Sequence, residues 1–132
     1  MGTIETIRDR IRTHLGDQQS LVRSLLALRE QIQGSLIERY GVCGKAGCAC
    51  RQGERHGPYY VLSTRSAGRG GFAYLEAGQA RRARGLVRRN REFRRGLKRL
   101  RSMNQGLVVL LKRYQTRVST ESGRRLGLEP QA

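Results

Sequence analysis

Apolar positions along the chain fall into two long stripes, separated by a stretch without helical period. In the first, Ile4, Ile7, Ile11, His14, Gln18, Leu21, Leu25, Leu28 and Ile32 recur at steps of three and four, the spacing that lines one face of an α-helix. Leu15, Val22 and Leu26 widen the stripe. Thr3 is suited to cap its start. Gly16-Asp17 offers a break, and Gly34 an end. In the second, Ala83, Leu86, Asn90, Phe93, Leu97, Leu100, Asn104, Leu107, Leu111, Tyr114 and Val118 alternate steps of three and four without interruption, which is a heptad seam. Asn90 and Asn104 stand two heptads apart at equivalent positions, where a polar residue fixes register or partner. Gly85, Gly96 and Gly106 weaken this helix by about 1 kcal/mol each relative to Ala, and a kink is expected near Asn104-Gln105-Gly106.

Between the stripes, Tyr59–Thr64 is β-branched and aromatic and predicts a strand. Ser66–Gly71 is a turn, and Phe72–Leu75 the returning strand of a hairpin. A two-stranded hairpin is marginal alone, so it must lean on its neighbours. The sequence predicts a single domain over 1–132, with an N-terminal helix at 1–34, a Cys/His knuckle at 35–58 and a β-hairpin at 59–76. A long basic helix follows at 77–119 and a flexible tail at 120–132. The fold class is α+β and mostly helical. Its two long helices are expected to form a coiled-coil-like hairpin with the knuckle and β-hairpin between them; pairing of the C-terminal helices in a homodimer is the alternative.

All three cysteines lie within eight residues, and one of the two histidines follows closely, as Cys43-x4-Cys48-x-Cys50-x5-His56. Three thiolates and an imidazole are the donor set of a closed, four-coordinate structural zinc site. The competing readings are buried small side chains beside a loop histidine, and an iron–sulfur cluster, which normally takes four cysteines. His14, on the first stripe, reads as a packed helical histidine. An odd cysteine count suits a compartment where thiols stay reduced. No apolar run approaches the roughly 20 residues of a membrane span, and the N-terminus has no signal-peptide core. A cytoplasmic protein without membrane contact is expected.

Charge changes the picture most. The chain of 132 residues carries a net +17, from 27 basic residues, only three of them lysine, against 10 acidic ones. Arg81, Arg82, Arg84, Arg88, Arg89, Arg91, Arg94, Arg95, Lys98, Arg99 and Arg101 share one segment with a single acid, Glu92. None of the eleven sits on the seam. Solvated helix faces normally interleave both signs, whereas guanidinium groups of one sign suit phosphate. Nucleic acid, DNA or RNA, is the expected partner, bound with low sequence specificity. Tyr59, Tyr60 and Tyr74, with Phe72 beside them, could stack on bases; core packing beneath the helices competes with that role and outweighs it. A protein partner or second copy docked on the seam, making the chain a structural adaptor, is the alternative function. No Ser-His-Asp set or carboxylate pair at metal spacing is present, so an enzyme is not expected.

The run Gly34-Ser35-Leu36-Ile37-Glu38-Arg39-Tyr40-Gly41-Val42-Cys43-Gly44-Lys45, with Cys48-Ala49-Cys50 and His56-Gly57-Pro58-Tyr59-Tyr60-Val61-Leu62-Ser63, resembles the signature of an uncharacterised family of short prokaryotic proteins. That signature is G-S-L-x-E-R-Y-x-x-C-G-K-x-x-C-x-C followed by H-G-P-Y-x-Y-L-S. The resemblance implies the Cys43/Cys48/Cys50/His56 ligand set and a loose association with mobile genetic elements, and no activity. The chain departs from the pattern in its second strand, which has fewer basic residues, and at Glu76, where a proline is common.

Overall fold

The computed structural model describes residues 2–66 and 69–128. The element order is α1 (Ile4–Ala27), β1 (Gly34–Gly41), a 3-10 turn (Ala49–Gln52), β2 (His56–Ser66), β3 (Arg69–Leu75) and α2 (Ala77–Arg125). The chain divides into two compact units. One holds α1 with α2 from Arg94 onward; the other is Leu28–Phe93.

In the first unit, Thr3 caps α1, its Oγ1 accepting the Thr6 amide at 3.2 Å. Ile4, Ile7, Ile11, His14, Gln18, Leu21 and Leu25 are the positions withdrawn from solvent, as the stripe predicts, while Leu15, Val22 and Leu26 stay exposed. The helix runs through Gly16 without a break and stops at Ala27, seven residues before Gly34. On α2 the seam positions Ala83, Leu86, Asn90 and Phe93 are withdrawn as expected, and from Arg94 onward the withdrawn face departs from the seam at alternate steps. Phe93, Leu100, Leu107 and Tyr114 belong to both, but Gly96, Met103 and Leu110 replace Leu97, Asn104 and Leu111 at the alternate steps. Leu97 and Leu111 are 40% and 47% exposed.

Glycine accounts for the first of these steps, Gly96 in place of Leu97. Leu25 lies where a Cβ on Gly96 would be, and the His14 ring lies 3.1 Å from the Cβ position of Gly106. Ranking positions by hydrophobicity selects the leucines; close approach of the helices selects the residues without side chains. His14 Nε2 pairs with the Met103 carbonyl, and Gln18 Nε2 donates to Asn104 Oδ1 at 2.6 Å. The contacts of Leu25 with Gly96 and of His14 with Gly106 run in opposite directions along the two helices.

α2 is continuous over 49 residues and unbroken at Asn104-Gln105-Gly106. It extends past the expected end at 119 and terminates in a Schellman motif. The Leu128 amide donates to the Gly123 carbonyl and the Gly127 amide to that of Arg124, with Gly127 at φ +78°, the left-handed geometry glycine adopts most readily. Helix and cap thus occupy the start of the expected tail; the end of that tail, 129–132, lies outside the described residues.

In the second unit, the expected hairpin is joined by a third strand. The segment Gly34–Gly41, assigned from sequence to the helix end and knuckle, forms β1 and pairs antiparallel with β2; the order is β1-β2-β3. Leu36, Leu62 and Ala73 stand in one row across the sheet, and Ile37, Val61 and Tyr74 in the next, so adjacent rows face opposite sides. The first face packs on α2: Leu62, Ala83 and Val87 are buried together, with Ile32, Leu36 and Leu75 against them. The small side chains of Ala80 and Ala83 let α2 lie close. The Ile32 amide donates to the Leu86 carbonyl, and Asn90 Nδ2 to Gln31 Oε1 at 2.9 Å. At the start of α2, Gln79 Oε1 accepts the Glu76 amide at 3.1 Å, half of a capping box; Glu76 therefore starts the helix as a cap.

The two helix glycines that differ in surroundings predict opposite outcomes. Nothing lies within 4 Å of a Cβ on Gly85, so Gly85→Ala should stabilise by up to about 1 kcal/mol through helix propensity. Gly96→Ala gains the same propensity but drives into buried Leu25, and should destabilise by about 1–2 kcal/mol net. Urea denaturation of the two variants checks both signs.

Candidate functional site

The ligand quartet is assembled by the pairing of β1 with β2. The register shifts between Arg39 and Gly41, so that Gly41 stands opposite His56. Cys43, two residues beyond Gly41, is thereby held beside His56. The 3-10 turn carries Cys50 inward, to 3% exposure, and Cys48 precedes that turn as its N-cap. One ligand atom from each of Cys43, Cys48, Cys50 and His56 lies within 4.8 Å of all the others. Cys43 Sγ and Cys50 Sγ are 3.5 Å apart, Cys48 Sγ and His56 Nε2 3.2 Å. Donors around one ion at Zn–S distances of about 2.3 Å are separated by about 3.5–4 Å, so the four fit a closed metal site.

The electrostatics favour the thiolate at Cys43 and Cys48. The Lys45 backbone amide, and then the Cys50 thiol, hold Cys43 below its ordinary pKa. The Cys50 backbone amide, followed by the Cys43 thiol, brings Cys48 down to about 6. Burial raises Cys50. Hydrogen bonds to Cys43 and then Cys48 raise His56. A bound metal would take the His56 lone pair and oppose that rise. His14, in the other unit, is no part of the cluster.

All eleven residues of the basic segment are exposed on α2, Arg81, Arg82, Arg84, Arg88, Arg89 and Arg91 in the second unit and Arg94, Arg95, Lys98, Arg99 and Arg101 in the first. Among the described residues the ion pairs are Glu5–Arg8 and Asp9–Arg12; none reaches this segment. The aromatic set divides differently from the expectation. Tyr59 and Tyr74 stand on the sheet face turned away from α2, but Tyr60, in the row of Glu38 and Leu75, is on the α2 side. Phe72, in the row of Ser63, joins Tyr59 and Tyr74 instead. The two-residue period counted from Tyr74 is the signal that pairs it with Phe72.

These features define a small α+β protein with two long helices, a three-stranded antiparallel sheet and a Cys3His cluster suited to a metal ion. Residues 5–85 match the family described as Domain of unknown function (DUF6788), and the chain belongs to it. The match takes in α1, the quartet and the whole sheet, and ends before most of the basic segment. Neither a curated protein nor a solved structure matches the chain. Among the described residues no helix is long and apolar enough to cross a membrane.

In the reduced, metal-free chain, Cys48 should be the first cysteine alkylated by iodoacetamide. Its thiolate forms as pH rises through about 6, so its labelling should reach half its plateau rate near that pH, while Cys50 labels only at alkaline pH. Peptide mass mapping across pH checks this. With metal bound, all three should be protected, and removing the metal with a chelator at constant pH should restore labelling.

Proposed function

We propose that this is a zinc-stabilised nucleic-acid-binding protein that grips phosphate through α2 with little sequence preference. The observation that carries this reading is the exposed, unpaired run of eleven basic side chains on one helix. Like charges at this density repel one another, and a phosphate backbone relieves the repulsion while releasing condensed counterions. The preponderance of arginine suits bidentate phosphate contacts. Zinc suits the quartet because it accepts three thiolates and one imidazole in a closed set. A closed site leaves no position for substrate, so the metal's role in this reading is structural. Both histidines already have partners, His56 in the quartet and His14 on the Met103 carbonyl, which favours binding over acid–base catalysis.

A second reading rests on Leu15, Val22 and Leu26 of α1 and Leu97, Val108 and Leu111 of α2, all exposed in the first unit. In it, a second copy covers these side chains and the chain serves as a dimerisation module. Sedimentation across concentration separates the two: a monomer over the whole range excludes the dimer.

Purified protein should contain one zinc per chain, and Cys48→Ser should lose it along with the ordered knuckle, read by elemental analysis and protease sensitivity. Binding to a random-sequence duplex should weaken steeply with salt, by about a factor of 10³ or more between 50 and 200 mM if six or more phosphates are contacted. Arg88→Gln combined with Arg91→Gln should lower the log–log salt slope by about 2. Salt-independent binding would remove the basis of the reading.

A further inference from the structure

The sheet face turned away from α2 carries chemistry that the basic helix does not. Its rows are Arg39–Tyr59, Ile37–Val61–Tyr74, Ser35–Ser63–Phe72 and Arg65–Gly70. Tyr59, Phe72 and Tyr74 are 47%, 75% and 76% exposed. Val61 between them is buried, so the sheet beneath the aromatics is closed and they stand on it as a floor.

Their spacing is regular. Phe72 and Tyr74 are two residues apart on β3, about 6.7 Å along a strand. Tyr59 and Tyr74 are diagonal neighbours across β2 and β3, about 7–8 Å apart. Three large rings thus follow one another at nearly equal steps. Arg39 and Arg65, both exposed, stand in the rows at the two ends of this face.

Three aromatics exposed to this extent on one face call for a ligand. A purely apolar partner would leave the two arginines and the tyrosine hydroxyls unmatched. A duplex keeps its base faces stacked inside, so it offers these rings no π-face. A single strand presents both things the face is built for: π-faces for the rings and phosphates for the guanidiniums.

We propose that this face is a stacking platform for single-stranded nucleic acid, with Tyr59, Phe72 and Tyr74 each under one base and Arg39 and Arg65 on the flanking phosphates. The inference rests on the nucleic-acid reading for the class of partner, but it uses residues on the opposite side of the second unit from the arginines of α2. It also gives the metal centre a purpose. Tyr59 lies three residues beyond His56 on β2, so a closed quartet fixes the end of the strand that presents it.

The test uses the full zinc-loaded chain and three labelled probes: oligo-dT, oligo-U and a duplex of the same length, at fixed moderate salt. Phe72→Ala and Tyr74→Ala should each weaken single-strand binding about 5- to 150-fold. Neither should alter duplex affinity or the melting temperature, since both side chains are mostly in solvent. Phe72→Trp should retain affinity and supply the only tryptophan in a chain that has none; its emission should be quenched by the single strands and unaffected by the duplex. Equal losses on oligo-dT and oligo-U mark base stacking common to both; a loss on one alone assigns the platform to that nucleic acid. Unchanged single-strand affinity in both alanine variants, with duplex binding intact, overturns the platform and leaves the phosphate-binding reading standing. If neither single strand nor duplex binds the unmodified protein, both fall. A change in sedimentation on Phe72→Ala, with no change in single-strand affinity, would instead assign the face to a protein contact and overturn the proposal.

Discussion

The pairing of Gly41 with His56 is the contact on which the second unit turns. It is the last pairing of β1 with β2, and it comes just after the register has shifted. Without that shift, the chain leaving β1 would enter the knuckle offset from the start of β2, and Cys43 and His56 would not share a centre. With it, two ligands come from strand ends and two from the loop between them. The metal site and the sheet are therefore one cooperative structure. Buried apolar residues are few, and Cys50 is among the most enclosed of them. A closed ion of the kind proposed would contribute folding free energy on the order of 10 kcal/mol, comparable to the whole stability of a small domain.

Charge sets the second constraint. With +17 on 132 residues, the protein must fold against its own repulsion. It does so by placing alanine, glycine and valine where α2 is covered and arginine where it is not. Ala80, Ala83, Val87 and Gly96 are the buried positions, and an exposed arginine directly follows or precedes each of them. Small contact residues bring backbones close, which gains dispersion and excludes water without needing a wide apolar stripe. The rest of the circumference is then free to be basic. This division explains why a helix with so little apolar surface still packs.

The sequence made α1 legible because its stripe depends on side chains alone: Thr3, the apolar period from Ile4 to Leu25 and the polar members His14 and Gln18 fall where the pattern puts them, while Leu28 and Ile32 lie beyond the helix end at Ala27. The quartet was legible for a similar reason, since ligand chemistry is confined to few residue types. What escaped is what depends on the partner. The α2 seam was read one residue late at alternate steps because Leu97 outranks Gly96 in hydrophobicity, while geometry favours the glycine. β1 was missed because Leu36 and Ile37 face opposite sides of the sheet, so the segment shows no clean alternation, and because Gly34 read as a helix stop. The end of α2 was placed too early, at 119, because the heptad seam ends at Val118, whereas Gly127 is the residue that closes the cap. Tyr60 and Phe72 exchanged roles for want of the strand register, which decides which neighbours in a run of aromatics share a face.

The two surfaces proposed for nucleic acid differ in what they can discriminate. Phosphate contacts on α2 recognise charge density, so they cannot tell one sequence from another and they fade with salt. Stacking on Tyr59, Phe72 and Tyr74 releases no counterions itself, so this face depends on salt only through the phosphate contacts of Arg39 and Arg65, and it requires bases that are already unpaired. In the second unit these surfaces lie on opposite sides of the layer formed by Leu62, Ala83 and Val87. One phosphate backbone cannot follow both without passing around the edge of the sheet. Occupying them together therefore favours a nucleic acid that is duplex in one part and single-stranded in another, and the ratio of the two affinities should shift toward the single strand as salt rises.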